Sequence, residues 1–176
     1  MYEVTKLHLG CGPHIFQGWR NYDLDPGIGG FRCDLREPLP FETGKADYIF
    51  TEHAIEHLTL KEGQRLLNEC YRVLKPGGVI RISTPNLRSI MNDYRIKKTD
   101  RYAPTWSPET PAQFVNEGLR LWGHQFIYDL EEITIALRLA GFGPIDTREW
   151  HKSPFPFLID LEVRPYMNDL IVEAIK

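Results

Sequence analysis

The chain has 176 residues, with 21 Lys and Arg against 24 Asp and Glu, a formal net charge of -3 and 42% hydrophobic residues. That length suits one domain with a sizeable core, the composition excludes a disordered chain, and the slight acidity argues against a dedicated nucleic-acid binder, for which a strong basic excess is expected. No stretch approaches the ~20 apolar residues of a membrane span, residues 1–12 carry no secretory signature, and three scattered cysteines, Cys11, Cys33 and Cys70, point to a reducing compartment, by default the cytoplasm.

In chain order, Val4 to Leu9 alternates in polarity and runs into Gly10-Cys11-Gly12, as a strand entering a tight turn does. Trp19 to Leu24 reads as a second strand, Phe31 to Leu35 as a short third, and Ala46 to Thr51 as a fourth. Leu60, Leu66, Leu67, Cys70, Tyr71 and Leu74 then fall at helical spacing, and Lys75-Pro76-Gly77-Gly78 stops that helix. Val79 to Ser83 is a strand closed by Thr84-Pro85. Asp129 caps a helix over Leu130 to Ala140, with Glu132 as its capping-box partner and Gly141 as the left-handed stop. Ile145 to Trp150 and Leu170 to Ile175 read as final strands.

Alternating strands and helices imply a mostly parallel sheet. Only residues 13–18 separate the first turn from the second strand. An ordinary crossover takes at least about 10–12 residues, so the first helix is expected to be one turn or absent. Residues 86–123 begin as a helix over Asn86 to Arg95. Pro104, Pro108 and Pro111 then punctuate a segment containing Trp106. This stretch follows a central strand, on the side where open sheets bind ligands, and reads either as a lid or acceptor-side insertion, or as a structural loop over core. Arg88, Arg95, Lys97, Lys98 and Arg101 form a basic run best read as a solvated helix face.

The glycines at the end of the first strand let backbone approach a ligand without a Cβ clash, and Asp23 or Asp25 stands where an acid takes ribose hydroxyls. A dinucleotide fingerprint would need glycine where Ile15 stands, and its acid would come about 20 residues on. No P-loop pattern occurs. His53-Ala54-Ile55-Glu56-His57 is a literal H-x-x-E-H, the pattern of one peptidase class, in which histidines four apart on a helix hold zinc and the glutamate activates water. The segment begins at a strand end and no third ligand is legible, so no metal is expected there.

The series Gly10-Cys11-Gly12, NYDLDP, CDLREPLPF, ADYIFTEHAIEHL and ECYRVLKPGGVIRISTPN, in this order, resembles the class I S-adenosylmethionine (SAM)-dependent methyltransferases, and most closely their short type 11-like branch. GHQFIYDLEEITIALRLAGF and NDLIVEAIK extend the likeness over essentially the whole chain. The resemblance implies a Rossmann-like α/β fold: a single domain over residues 1–176, with a mostly parallel twisted sheet, helices on both faces and an antiparallel last strand. It implies SAM as cofactor and S-adenosylhomocysteine as product. It assigns Gly10, Cys11 and Gly12 to the methionine and ribose side, Asp23 to the ribose with Asp25 as fallback, Asp34 and Leu35 to the adenine, and Thr51, Glu52 and His53 to the methyl end. His14 lies in the shortened loop, within reach of the ligand, and Arg72 to Gly78 match a structural motif.

Methyl transfer from an activated donor asks mainly for positioning and sometimes for proton removal. His53 is the first candidate base, followed by His57 and His124. The expected acceptor is a small or cell-surface-related molecule, with its pocket built from residues 86–123 and 151–167. A non-catalytic SAM-binding domain is the alternative from a different class, and a zinc hydrolase built on His53, Glu56 and His57 the remote one.

Overall fold

The computed structural model describes residues 4–27, 29–100, 103, 106–164 and 168–176. Strands β1 (Lys6–Leu9), β2 (Arg20–Asp23), β3 (Phe31–Arg32), β4 (Ala46–Glu52), β5 (Leu74–Thr84), β6 (Ile145–Thr147) and β7 (Leu170–Ile175) form one sheet in the order β3-β2-β1-β4-β5-β7-β6. The first five pair in parallel. Strand β7 runs antiparallel between β5 and β6. This is the α/β sheet with an antiparallel last strand that the sequence implied.

One face of the sheet is packed by α1 (Leu60–Val73) and α4 (Leu130–Ala140). Leu66, Leu67, Cys70 and Val73 of α1 meet Ile133, Ala136 and Leu137 of α4 over Leu7, Leu9, Ile49, Ile80 and Ile82. Both helices start at side-chain caps. Thr59 and Glu62 form a reciprocal box on α1, and Asp129 accepts from the Glu132 N–H on α4. Gly141 closes α4 at φ 106°, as its position predicted.

The opposite face is covered differently. Residues 13–18 contain turns and no helix, and Asn21 of β2 latches them down. Its Nδ2 donates to the carbonyls of Phe16 (3.1 Å) and Trp19 (3.0 Å), while its Oδ1 accepts from the Phe16 N–H at 3.0 Å. The latch turns Phe16 onto His8, stacked at 4.4 Å, and both rings pack on Phe50. A single 3-10 turn, Pro156–Leu158, supplies the only helical cover of this face among the described residues, with Leu158 and Leu161 over Phe50 and Val79. Phe155 and Phe157 lie against Tyr48. They belong to this layer and not to an acceptor pocket.

Fully buried Arg81 of β5 anchors the same layer. Its guanidinium donates to Glu162 (2.6 Å), to Glu173 of β7 (2.7 Å) and to the Lys152 carbonyl (2.8 Å). Arg148 takes the other Glu173 oxygen at 2.6 Å. Two arginines thus balance two buried glutamates.

The sequence reading differs in detail. Strand β5 starts at Leu74 because the Lys75–Gly78 turn continues the pairing: Leu74 sits opposite Ala46, and Gly77 and Gly78 bond with Lys176. Strands three and six are shorter than expected. Beyond Arg95 the punctuated segment holds a second helix. Helix α2 (Leu87–Arg95) is joined by α3 (Pro111–Arg120), capped by Thr110, where Pro111 starts a helix instead of breaking one. They pack through Ile90, Phe114 and Ile127. Arg88, Arg95, Lys97 and Lys98 are exposed, whereas Arg101 and Pro104 lie outside the described residues.

Burial beneath Phe16 is the main cause that lowers the His8 pKa from 6.5 to about 4, against a smaller upward pull from its Asn21 hydrogen bond. Between those pH values the unfolded chain binds more protons. Stability is therefore present above pH 6.5 and falls as pH drops toward 4, by up to about 3 kcal/mol. Denaturant melts across this range should show the decline, and His8→Leu should flatten it. Arg81→Met, which strands buried carboxylates, should cost about 3–5 kcal/mol in the same melts at neutral pH.

Candidate functional site

The carboxyl ends of β1, β2, β4 and β5 converge at one edge of the sheet, the edge where open α/β sheets bind ligands. Two cavities open there. The first, of about 350 Å³, is lined by Gly10, Gly12, Asp23, Asp34, Leu35 and Ala54, among others. The second, of about 300 Å³, is walled by Pro85, Ile90, Trp106, Trp122, His124 and Asp169. His53, His57 and Arg164 line both.

The first cavity is shaped by absent side chains. Gly10 sits at φ +72°, and a Cβ there would lie 2.3 Å from the Ala54 Cβ. Gly12 donates its N–H to Asp23 Oδ2 at 2.8 Å, and the Asp25 N–H donates to Asp23 Oδ1 at 2.9 Å. Asp23 is therefore fixed in orientation, yet each oxygen keeps a lone pair. Asp25 is exposed and lines neither cavity. Asp34 does line the first, but Arg36 engages both of its oxygens. That charge-assisted bond, the largest cause, holds the Asp34 carboxyl down to about 2. Its capacity to accept from an exocyclic amine is taken up by Arg36.

Several expected contacts are directed elsewhere. Cys11 is buried with Sγ toward the Gly12 carbonyl, and burial pushes its thiol up to about 11. His14 is exposed and outside both cavities. Thr51 is buried in β4 without a hydrogen bond for its Oγ1. Glu52 accepts from the N–H groups of Val163 and Arg164 at 3.2–3.3 Å, so it anchors that loop. Burial is the main influence on its carboxyl, whose pKa is raised.

His53 is nearly buried at φ 49°. Its Nε2 lies 2.6 Å from Asp169 Oδ2, and its Nδ1 lies 3.3 Å from Glu56 Oε1. Burial opposes the charged ring most strongly, but the Asp169 bond and the charges of Asp169 and Glu56 outweigh it and raise the pKa. The raised pKa and the Asp169 bond weigh against His53, the first-ranked candidate, as a general base. The H-x-x-E-H pattern is likewise no helical pair. Ile55–His57 is a 3-10 turn after a left-handed residue, so His53 turns to Asp169 while His57 turns to His124, with ring centroids 5.1 Å apart.

His124 is delivered by left-handed Trp122 and Gly123. Gln125 and Phe126 donate backbone N–H groups to the Glu56 carbonyl, and Gln125 Nε2 donates to the His57 carbonyl. This stitches the two histidine-bearing loops together. Burial chiefly lowers the His124 pKa, so its ring is neutral at pH 7. With Nδ1 bound to the Gly118 carbonyl at 2.9 Å, Nε2 carries the lone pair.

Sequence reasoning missed Arg164 and Asp169. Nothing in the pattern marks Arg164. Asp169 was findable from topology, because an antiparallel strand beside β5 must begin at the carboxyl edge of the sheet.

The family model Methyltransf_11, a methyltransferase domain, matches residues 28–82. A probable S-adenosylmethionine-dependent methyltransferase of Mycolicibacterium smegmatis is 39% identical over 59 residues, which is 31% of this chain and 22% of that protein. The match thus spans about a fifth of that relative. The fold superposes on a SAM-dependent methyltransferase of Thermotoga maritima with a TM-score of 0.64 at 15% identity, covering 100% of this chain and 84% of the other. It also superposes on a Haemonchus contortus phosphoethanolamine N-methyltransferase in complex with S-adenosyl-L-methionine, with a TM-score of 0.59 at 16% identity and coverage of 100% and 49%.

Residues 28–82 match the methyltransferase domain, and the fold as a whole is that of the SAM-dependent methyltransferases on which it superposes. In this chain the first glycine turn is followed by the Asn21-latched loop, which holds no helix. No helix among the described residues is long and apolar enough to cross a membrane.

The bare backbone at Gly10 yields a test of the cavity's shape. Gly10→Ala must displace Ala54 and should lose about 1–3 kcal/mol of stability in denaturant melts. Gly12→Ala, which meets nothing within 4 Å, should cost less.

Proposed function

We propose that this chain transfers a methyl group from SAM to a small-molecule acceptor, with SAM in the Gly10–Asp23 cavity and the acceptor in the Trp106–Trp122 cavity. The observation that carries the reading is the meeting of the two cavities at His53, His57 and Arg164. A donor in one and an acceptor in the other would face each other there.

The residues of the first cavity fit the cofactor. A ribose diol presents two donors, and Asp23 offers an oriented carboxylate with free lone pairs on both oxygens. Gly10 and Gly12 let the ligand approach bare backbone. When bound, SAM supplies a methyl group on a sulfonium whose departure leaves a neutral thioether.

The chain's own work is positioning and exclusion of water. Trp106, stacked on Phe114 at 4.8 Å and edge-on to Trp122 at 5.3 Å, gives the acceptor cavity a rigid aromatic wall. Asp169 fixes His53 at the junction, where it acts as a positioning residue. His57 and His124 line the acceptor cavity beside it. Arg164, held through its backbone by Glu52, favours an acceptor with an anionic or carbonyl group. Three buried free thiols support placing the protein in the cytoplasm.

SAM and S-adenosylhomocysteine should raise the melting temperature through selective binding to the native state, and NAD should not. Asp23→Ala should weaken SAM binding roughly 10-fold or more, as expected for loss of charge-assisted hydrogen bonds, with Asp25→Ala nearly neutral. Absence of any shift at millimolar SAM overturns the cofactor assignment. Tight SAM binding without turnover across a broad acceptor panel favours a non-catalytic SAM-binding domain.

A further inference from the structure

Ligand atoms of Glu56, His57 and His124 lie within 4.8 Å of one another, at the wall of the acceptor cavity. We propose that these three side chains bind a divalent transition-metal ion. This is a different triad from the H-x-x-E-H pattern, since His53 is turned away to Asp169 and His124 is 67 residues downstream of His57 in the sequence.

Four observations support the site. The donor set, one carboxylate and two imidazoles, suits zinc, cobalt, nickel or manganese, and three protein ligands leave coordination positions open. Glu56 is fully buried and its Oε1 makes no hydrogen bond; the His53 ring, 3.3 Å away, partly offsets its charge and leaves the oxygen a lone pair for a cation. Two of the three ligands also have outer support of the kind that metal sites use. His124 gives its Nδ1–H to the Gly118 carbonyl, which leaves Nε2 as the ligating nitrogen, and Glu56 Oε2 accepts from Thr84 Oγ1 at 3.0 Å. Finally, the two loops are tied together by three hydrogen bonds from Gln125 and Phe126 to the carbonyls of Glu56 and His57. The triad is thus preformed in the fold and does not await the ion.

His57 and His124 both line the acceptor cavity, so the open positions face it. The ligand class that follows is a small molecule presenting an oxygen, such as a hydroxyl, which a bound divalent ion orients and acidifies. The His57–His124 pair would then act as ligands and not as general bases. This second step rests on the methyl-transfer reading above, whereas the metal site itself does not.

The test uses the full chain, stripped with a chelator and titrated with Co(II) alone, followed by visible absorption and calorimetry. One equivalent should bind at micromolar Kd or tighter, with a d–d spectrum of nitrogen and oxygen ligation. His124→Ala should weaken binding at least 10-fold while the far-UV circular dichroism is unchanged, and His57→Ala should do the same, so that either variant decides if the other misfolds. Failure of the wild-type chain to bind at 100 µM Co(II), or equal binding by folded variants, overturns the site. SAM-induced thermal shifts measured on the stripped wild-type chain report on the cofactor reading separately, because Gly10, Gly12 and Asp23 lie outside the triad.

Discussion

A guanidinium buried on the helix-poor face of the sheet is the constraint on which much of this molecule turns. Arg81 has no exposure, and such a charge is tolerable only with its hydrogen bonds filled. It fills them with two carboxylates and a carbonyl drawn from β7 and the 149–162 segment. That requirement pulls an otherwise irregular stretch of chain across the sheet, where a helix would ordinarily lie. The stretch ends at Val163 and Arg164, whose N–H groups are caught by Glu52 at the end of β4. Arg164 reaches the junction of the two cavities because Arg81 and Glu52 hold the segment at its two ends.

The other half of the site is organised by β4 and the loop after it. Within six residues β4 delivers Glu52 to the 163–164 loop, His53 to Asp169, Glu56 to Thr84 and His57 to His124. The left-handed backbone at His53 makes this possible, since it breaks the strand and fans successive side chains toward different elements. Neither half relies on long helices for its precision. Both rely on buried polar side chains with defined partners.

The main strands of the sheet and the helices α1 and α4 were legible in the sequence because they follow from local signals: alternation, apolar spacing, Asp129 and Gly141 as caps. The glycine turn and Asp23 were legible for the same reason, since a turn and a strand end are local events. Four matters were not. Pro111 reads as a breaker, yet with Thr110 before it becomes a helix start. Glu52 looked like a ligand contact and is a loop anchor, because its partners lie 111 and 112 residues away. His53 looked like a base, but Asp169, 116 residues on, holds its ring and raises its pKa. Arg164 carries no pattern at all. For Glu52 and His53 the deciding partner is distant along the chain.

The antiparallel β7 has a consequence for how the molecule comes into being. Strand β6 pairs with β7 alone among the strands of the sheet, and β7 wedges between it and β5. The same late strand brings Glu173 to Arg81, while the residue just before it, Asp169, meets His53. On a ribosome, everything up to α4 emerges before the piece that neutralises the buried guanidinium and locks the histidine. Until β7 emerges, a nascent chain lacks Glu173 for Arg81 and Asp169 for His53. A product clipped before β7 would leave a buried guanidinium short of one carboxylate, a costly loss that exposes such a fragment to proteolysis.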